Sequence, residues 1–181
     1  MRILILIAIL FGSSILNGQE ALSNLVNNPV LNGEKLFVNK NKNAIILPFF
    51  DDFSYNSHVA SIDLWQQSSV FVNRTYPIDP VTVGVATFDG LDEDGLARDF
   101  SQSIPSAPSD TLLSQVIDLS AVDTAYMMFY FQGKGIGDTP DSNDFLVLEF
   151  LNDYLVWEQI WFSKGQIMNE FEKVIEIINE P

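Results

Sequence analysis

The sequence contains no cysteine and a single histidine, His58. These absences exclude disulfide scaffolds, zinc sites built on cysteine, cysteine nucleophiles and histidine-centred triads. The Gly-x-Ser-x-Gly elbow of serine hydrolases is also missing. We therefore expect no enzyme activity from this chain, and we expect His58 to be an ordinary loop residue.

Basic residues are scarce, because nine Lys and Arg stand against 24 Asp and Glu, which gives a formal net charge of −15. Nucleic acid and anionic membranes both require a basic surface, so neither is expected as a partner. The composition is nevertheless 47% hydrophobic. That is enough apolar material for a packed core, and it argues against general disorder.

The N-terminus predicts export. One positive charge at Arg2, a short apolar run from Ile3 to Phe11 and small residues after it are typical of a secretory signal peptide. The run is too short to span a bilayer, which needs about 20 apolar residues. We divide the chain into a signal peptide (1–18), an Asn-rich leader (19–43) that either drapes over the domain or stays mobile, and one domain (44–181). The chain is therefore expected to be secreted or to lie at the cell surface.

Short apolar runs recur from Ala44 onward, separated by Gly, Asn, Asp, Ser and Pro. Runs of this kind, rich in β-branched and aromatic residues, predict strands, and their regular spacing predicts an all-β sandwich or barrel. The main runs are Val70–Val72, Val81–Phe88, Leu112–Leu119, Thr124–Gln132, Phe145–Leu151, Tyr154–Phe162 and Phe171–Ile178.

One of these runs and one of the turns between them carry further information. The run Thr124–Gln132 is apolar on both faces, which is expected of a central strand covered on both sides. Asn152 and Asp153 separate two strong runs and predict a short hairpin between them.

Several segments resemble MAM-like and laminin-G-like jelly rolls. They are LPFFDDFS (47–54), then Trp65, then LLSQVIDLS (112–120), then a strand holding Trp157 and Trp161. The segments at 47–54, 70–95 (VFVNRTYPIDPVTVGVATFDGLDEDG) and 131–138 (FQGKGIGD) also resemble the N-terminal part of large secreted proteins of Bacteroidetes, many of which use type IX secretion. The resemblance implies an antiparallel β-sandwich of jelly-roll type. Such jelly rolls continue into further closing strands, so we expect a C-terminally incomplete fragment with an exposed sheet edge, which invites pairing with another chain.

Clustered carboxylates give one set of candidate sites. The loop 89–95 packs four carboxylates, Asp89, Asp92, Glu93 and Asp94, into seven residues with Gly90 and Gly95, and calcium prefers such groups of oxygens. The spacing is not that of an EF-hand, and a solvated turn is the alternative. The resemblance to calcium-binding jelly rolls suggests a second site, formed by Asp51 or Asp52 with Asp144 or Asp141. Calcium is the only cofactor that these residues suggest.

Aromatic side chains give the other candidate site. Exposed aromatics can form a sugar-stacking platform, and the candidates are Trp65, Tyr76, Tyr154, Trp157 and Trp161. Trp157 and Trp161 are an even number of residues apart, so on a regular strand they face the same side, as either core or platform.

From these observations we expect a non-catalytic, exported β-sandwich module for cell-surface adhesion or scaffolding, forming the N-terminal part of a larger secreted protein. The alternative is a carbohydrate-binding module that uses exposed aromatics, and a third possibility is an accessory domain of a hydrolase. A glycan or a surface protein is the expected partner.

Overall fold

A computed structural model describes residues 26–31, 44–97, 109–152 and 154–179 of the chain. The proposed signal peptide lies outside these ranges, as do most of the leader and residues 98–108. Within the described ranges every regular element is a strand, which confirms the prediction of an all-β fold. The strands are β1 (Ile45–Ile46), β2 (Trp65–Ser68), β3 (Phe71–Asn73), β4 (Val85–Thr87), β5 (Leu112–Ser114), β6 (Ile117–Asp118), β7 (Thr124–Phe131), β8 (Phe145–Leu151), β9 (Trp157–Lys164) and β10 (Glu172–Asn179).

The strands pair two by two into five ribbons. Four ribbons are antiparallel: β2 with β5, β3 with β4, β7 with β10, and β8 with β9. The short ribbon of β1 and β6 is parallel. Among the described residues no sheet is wider than two strands. The jelly-roll arrangement therefore stays a prediction, while the β class is established.

The predicted hairpin at Asn152 is confirmed. Strand β8 occupies the predicted run Phe145–Leu151, and β9 follows it antiparallel. The Asn152 side chain organises the turn, since its Oδ1 accepts from the backbone N–H groups of Tyr154 and Val156, each at 3.0 Å. Asn is favoured in turns because its side chain satisfies backbone donors in this way.

The first half of the chain has a small core around β3. Phe71, Val72 and the preceding Val70 are buried. His58 lies outside the strands, as expected, and its ring stacks on Phe71 with centroids 5.3 Å apart. Its Nδ1 lies 3.0 Å from the carbonyl oxygen of Val72. His58 thus has a packing role in this core.

The second half is built from the two long ribbons. On the inner side of the β7–β10 ribbon lie Phe129 and Phe131, and both rings contact Trp161 of β9 edge-on, with centroids 5.2 and 4.8 Å apart. Trp161 therefore joins the two ribbons through their facing sides. Aromatic edge-to-face contacts of this kind add stability beyond the area that they bury.

Gln132, just after β7, connects three separate parts of the chain. Its Nε2 donates to the carbonyl oxygens of Ile78 (2.8 Å) and Asn169 (2.6 Å), and its Oε1 accepts from the N–H of Ile78 (3.1 Å). This reciprocal pairing fixes the start of the 133–138 loop.

We expect Gln132→Glu to destabilise the fold by about 1–3 kcal/mol, because a carboxylate cannot donate to the two carbonyl oxygens and leaves them facing a negative charge. Urea unfolding followed by tryptophan fluorescence measures the change. Gln67→Glu, at an exposed position on β2, is the matched control and is expected to change stability far less. Equal losses in the two variants would contradict the role given to Gln132.

Candidate functional site

The candidate aromatic Trp65 lies in a packed cluster. Its Nε1 donates to Asp51 Oδ2 at 2.7 Å, while its ring meets Phe49 edge-on at 5.2 Å and stacks on Phe53 at 6.1 Å. Tyr55 donates its hydroxyl to the same Asp51 oxygen at 3.3 Å, and burial, followed by the nearby Asp51 charge, raises the pKa of Tyr55 above its ordinary value. Trp65 thus helps to hold the segment 49–55 in place.

Tyr76, the proposed companion of Trp65, packs elsewhere. Its ring meets Phe71 edge-on at 5.5 Å, and its carbonyl oxygen accepts from the N–H of Ile136. Among the described residues no ring contact joins Tyr76 to Trp65. The two aromatics therefore belong to separate ring clusters.

The expectation that Trp157 and Trp161 face the same side is wrong. Trp161 is opposite Leu148 and Trp157 is opposite Leu151, with a bulge between them that contains Ile160. Leu148 and Leu151 are three residues apart on a regular strand, so they point to opposite faces, and their partners do too. Trp161 lies between the ribbons, whereas Trp157 is 49% exposed on the outside.

The outer side of the β7–β10 ribbon presents an apolar surface to solvent. We call it the outer face, defined by five side chains that are 38% to 69% exposed: Tyr126, Met128, Tyr130, Ile175 and Ile177. The register pairs Tyr126 with Ile177 and Met128 with Ile175, so the five form one contiguous patch. Contiguous apolar patches of about a few hundred Å² or more on a protein surface mark contact surfaces.

This surface corrects the expectation for β7. The two-sided apolar pattern of Thr124–Gln132 had predicted a central strand covered on both sides. Within the described part of the chain β7 pairs with β10 alone, and its outward residues are exposed. The sequence pattern does identify the apolar residues of the outer face on β7. It does not show whether another part of the same chain covers them.

The β8–β9 hairpin carries a second exposed apolar set. Its outward residues include Phe145, Val147, Leu151, Trp157 and Phe162, and they are interspersed with the polar residues Glu149, Gln159 and Lys164. At the tip, Tyr154 is 87% exposed, and Leu155 has a positive φ of 59°. Because polar groups interrupt this surface, it is less uniform than the outer face of β7–β10.

The acidic loop 89–95 uses its carboxylates to satisfy its own backbone. Asp92 Oδ1 accepts from the N–H groups of Asp94 (3.0 Å) and Leu96 (2.8 Å), and Asp89 Oδ1 accepts from Leu91 (3.1 Å). Such side-chain to backbone bonds are typical of Asp in turns.

The same loop holds part of the leader. Asn28 donates its N–H to the carbonyl oxygen of Gly95 at 2.6 Å, and Asn27 Oδ1 accepts from the N–H of Ala97 at 3.0 Å. Leu31 is buried. Residues 26–31 therefore lie against the domain, as one of the two alternatives for the leader predicted, and they occupy one side of the acidic loop.

The carboxylates proposed for the second calcium site bond to nearby groups of the chain. Asp51 accepts from Trp65, Tyr55 and the N–H of Phe53. Asp52 accepts from Ser54, and this bond lowers the pKa of the Asp52 carboxyl from its usual value. Asp144 accepts from the N–H of Asp141. Across the described ranges no three His, Asp or Glu side chains come together as a metal ligand set.

Asp89 allows a test of the acidic loop. Burial raises the pKa of its carboxyl from the ordinary 3.8. A raised pKa in the folded chain means that this group's stabilising contribution is complete below the unfolded pKa and is lost as the pH rises through the folded value. Asp89→Asn keeps the acceptor for Leu91 and removes the charge, so its melting temperature is expected to exceed that of the wild type at pH 7. The gain should vanish at about pH 3.

Thermal melts at the two pH values, with and without calcium, measure this effect. Asp94→Asn, at an exposed position of the same loop, is the control and is expected to have little effect. Stabilisation of the wild-type chain by calcium, lost in Asp89→Asn, would show instead that Asp89 is a metal ligand.

Comparisons with known proteins do not add to this picture. No family model, no curated protein and no solved structure matches the chain. The resemblance to secreted Bacteroidetes proteins is therefore still a prediction from the sequence motifs. Among the described residues no helix is long and apolar enough to cross a membrane.

Proposed function

We propose that the chain is an exported, non-catalytic β-sandwich module that acts at the cell surface in adhesion or scaffolding, as the N-terminal part of a larger secreted protein. The observation that carries the proposal is the outer face of the β7–β10 ribbon, where five large apolar side chains meet solvent. When another molecule covers such a surface, apolar side chains leave water and the free energy of the system falls.

Three sequence features support the rest of the proposal. The N-terminal segment has the pattern of a secretory signal, which accounts for export. The motifs that resemble those of large secreted proteins of Bacteroidetes support the surface location. The absence of cysteine and the single histidine remove the commonest nucleophiles and bases, which favours binding over catalysis.

The lack of cysteine in residues 1–181 provides a direct experiment, because an introduced thiol is the only label site within them. We would express Ile175→Cys, in the outer face, and Ser142→Cys, at an exposed loop position, in the producing organism. Intact cells are then treated with a membrane-impermeant maleimide. The proposal predicts labelling of Ser142→Cys, because the protein is outside the cell, and weak labelling of Ile175→Cys, because its face is covered in the assembly.

Two results would contradict the proposal. Absence of labelling of Ser142→Cys on intact cells, with labelling restored after lysis, would contradict export. Equal labelling of the two variants on intact cells would contradict the use of the outer face as a contact surface.

A further inference from the structure

We infer that the outer face of the β7–β10 ribbon is a contact between two copies of this chain, so that the proposed scaffolding function, on which this inference rests, begins with a symmetric dimer. The middle of the face is apolar, and Thr124 and Lys173 lie at its two ends. On it lie Tyr126, Met128 and Tyr130 of β7 and Ile175 and Ile177 of β10. All five are exposed, in contrast to Val174 and Phe131 on the inner side of the same ribbon, which are buried.

The available area is sufficient for a weak dimer. Five large side chains that are about half exposed offer roughly 500 Å² per copy, taking about 200 Å² for a whole side chain. Two such faces together remove about 1,000 Å² from water, which is near the lower limit for a specific interface. We therefore expect a dissociation constant on the order of 10 μM, at the weak end for specific complexes.

Charge favours a second copy over a basic partner. The chain carries a net charge of −15, yet positions 124, 126, 128 and 130 of β7 and 173, 175 and 177 of β10 include no carboxylate and one lysine, Lys173. A basic partner would need acids at the point of contact, and this face offers none. Two acidic copies can meet here, because their carboxylates lie on other surfaces and are screened beyond about 8 Å at physiological salt.

The geometry also suits self-association. Two antiparallel strands in register give a face whose side chains project from one side with the regular spacing of the pleat. In a twofold dimer the same patch serves both copies, so the apolar centre of one ribbon face can pack against the apolar centre of the other. The interface would place ribbon against ribbon, as sheets pack face to face in sandwiches.

Sedimentation equilibrium of the purified chain tests the inference. The wild type is expected to show a monomer–dimer equilibrium at concentrations up to about 100 μM. Ile175→Glu places a carboxylate in the centre of the contact and should weaken the dimer at least tenfold. Raising the salt from about 0.05 to 0.5 M should strengthen the wild-type dimer, since it screens the repulsion between two acidic copies.

Val147→Glu is the matched control, because Val147 is 42% exposed, similar to Ile175 at 51%, but lies on the outside of the β8–β9 hairpin. It should leave the dimer unchanged. Ile175→Thr keeps a β-branched strand residue and guards against loss of folding, and it should weaken the dimer several-fold. An unchanged dimer in Ile175→Thr, or equal weakening by Val147→Glu, overturns the inference.

The inference and the proposed function can fail separately. A wild-type chain that stays monomeric at about 100 μM overturns the dimer. If Ile175→Cys is then reactive in the purified monomer but protected on cells, the scaffolding function stands with a different partner. If Ile175→Cys is unreactive even in the dilute monomer, the face is covered within the chain and the dimer is again excluded.

Discussion

Replacing Gly84 by alanine is expected to destabilise the chain by about 3 kcal/mol, which lowers the melting temperature by roughly 10 °C for a domain of this size. An added Cβ at Gly84 would lie 2.1 Å from the carbonyl oxygen of Phe53, and no rotation of a side chain can relieve a clash with backbone. The N–H of Gly84 also donates to the carbonyl oxygen of Asp52 at 3.1 Å. The clash therefore separates the start of β4 from the segment that carries the Trp65 cluster.

Gly137→Ala is the matched control for this prediction. A Cβ at Gly137 meets nothing within 4 Å, so the substitution should be tolerated. Both glycines lose the same conformational freedom in the unfolded chain when replaced, which removes that effect from the comparison. Thermal melts of the two variants followed by circular dichroism give the answer. Equal melting temperatures would show that Phe53 and Gly84 are not in close contact.

Trp161→Ala is expected to cost about 3 kcal/mol, because it removes the ring that joins the two long ribbons and leaves Phe129 and Phe131 without their edge-on partner. Trp157→Ala removes the same side chain four residues away but from the exposed side of the hairpin. It should cost less than about 1 kcal/mol. Urea unfolding of both variants measures the difference directly.

The comparison separates two descriptions of β9. If the strand were regular, the two tryptophans would share a face and the two variants would lose similar amounts of stability. A difference of about 2 kcal/mol supports the bulge at Ile160, which moves Trp161 to the inside and Trp157 to the outside. A larger loss for Trp157→Ala would contradict the assignment of the two faces.

The strands of the second half could be predicted from local pattern alone. The runs Phe145–Leu151 and Phe171–Ile178 are rich in Ile, Leu, Val and Phe and are bounded by turn residues, and they correspond closely to β8 and β10. The hairpin could be predicted as well, since Asn152 satisfies the turn through its own side chain. These features depend on neighbours in sequence, which the sequence displays.

The candidate site depended on contacts that the sequence does not display. The bulge at Ile160 has no local signature in the sequence. Counting residues along a regular strand therefore places Trp157 and Trp161 on the same side, whereas they lie on opposite sides of the hairpin. Trp65 is a platform candidate by residue type, and only the folded chain places its indole N–H against Asp51. Burial and pairing decide the role of an aromatic residue, and both are properties of the folded chain.

The acidic loop illustrates the same point over a longer distance. Its three aspartates suggested a calcium site, but Asn27 and Asn28 of the leader bond to this loop across roughly seventy residues. An Asn-rich segment can bond to any exposed backbone, so its composition does not specify where it docks. Only the structure assigns this partner to the acidic loop.

The measurement that tests the central claim most directly is the thiol reactivity of two adjacent positions on β10 in the dilute purified chain. Ile175 is 51% exposed on the outer face and Val174 is 7% exposed on the inner side. If the ribbon has one packed side and one open apolar side, Ile175→Cys should react with maleimide at least about tenfold faster than Val174→Cys. Equal rates, or a faster reaction at Val174→Cys, would contradict this arrangement and remove the basis of the proposed contact surface.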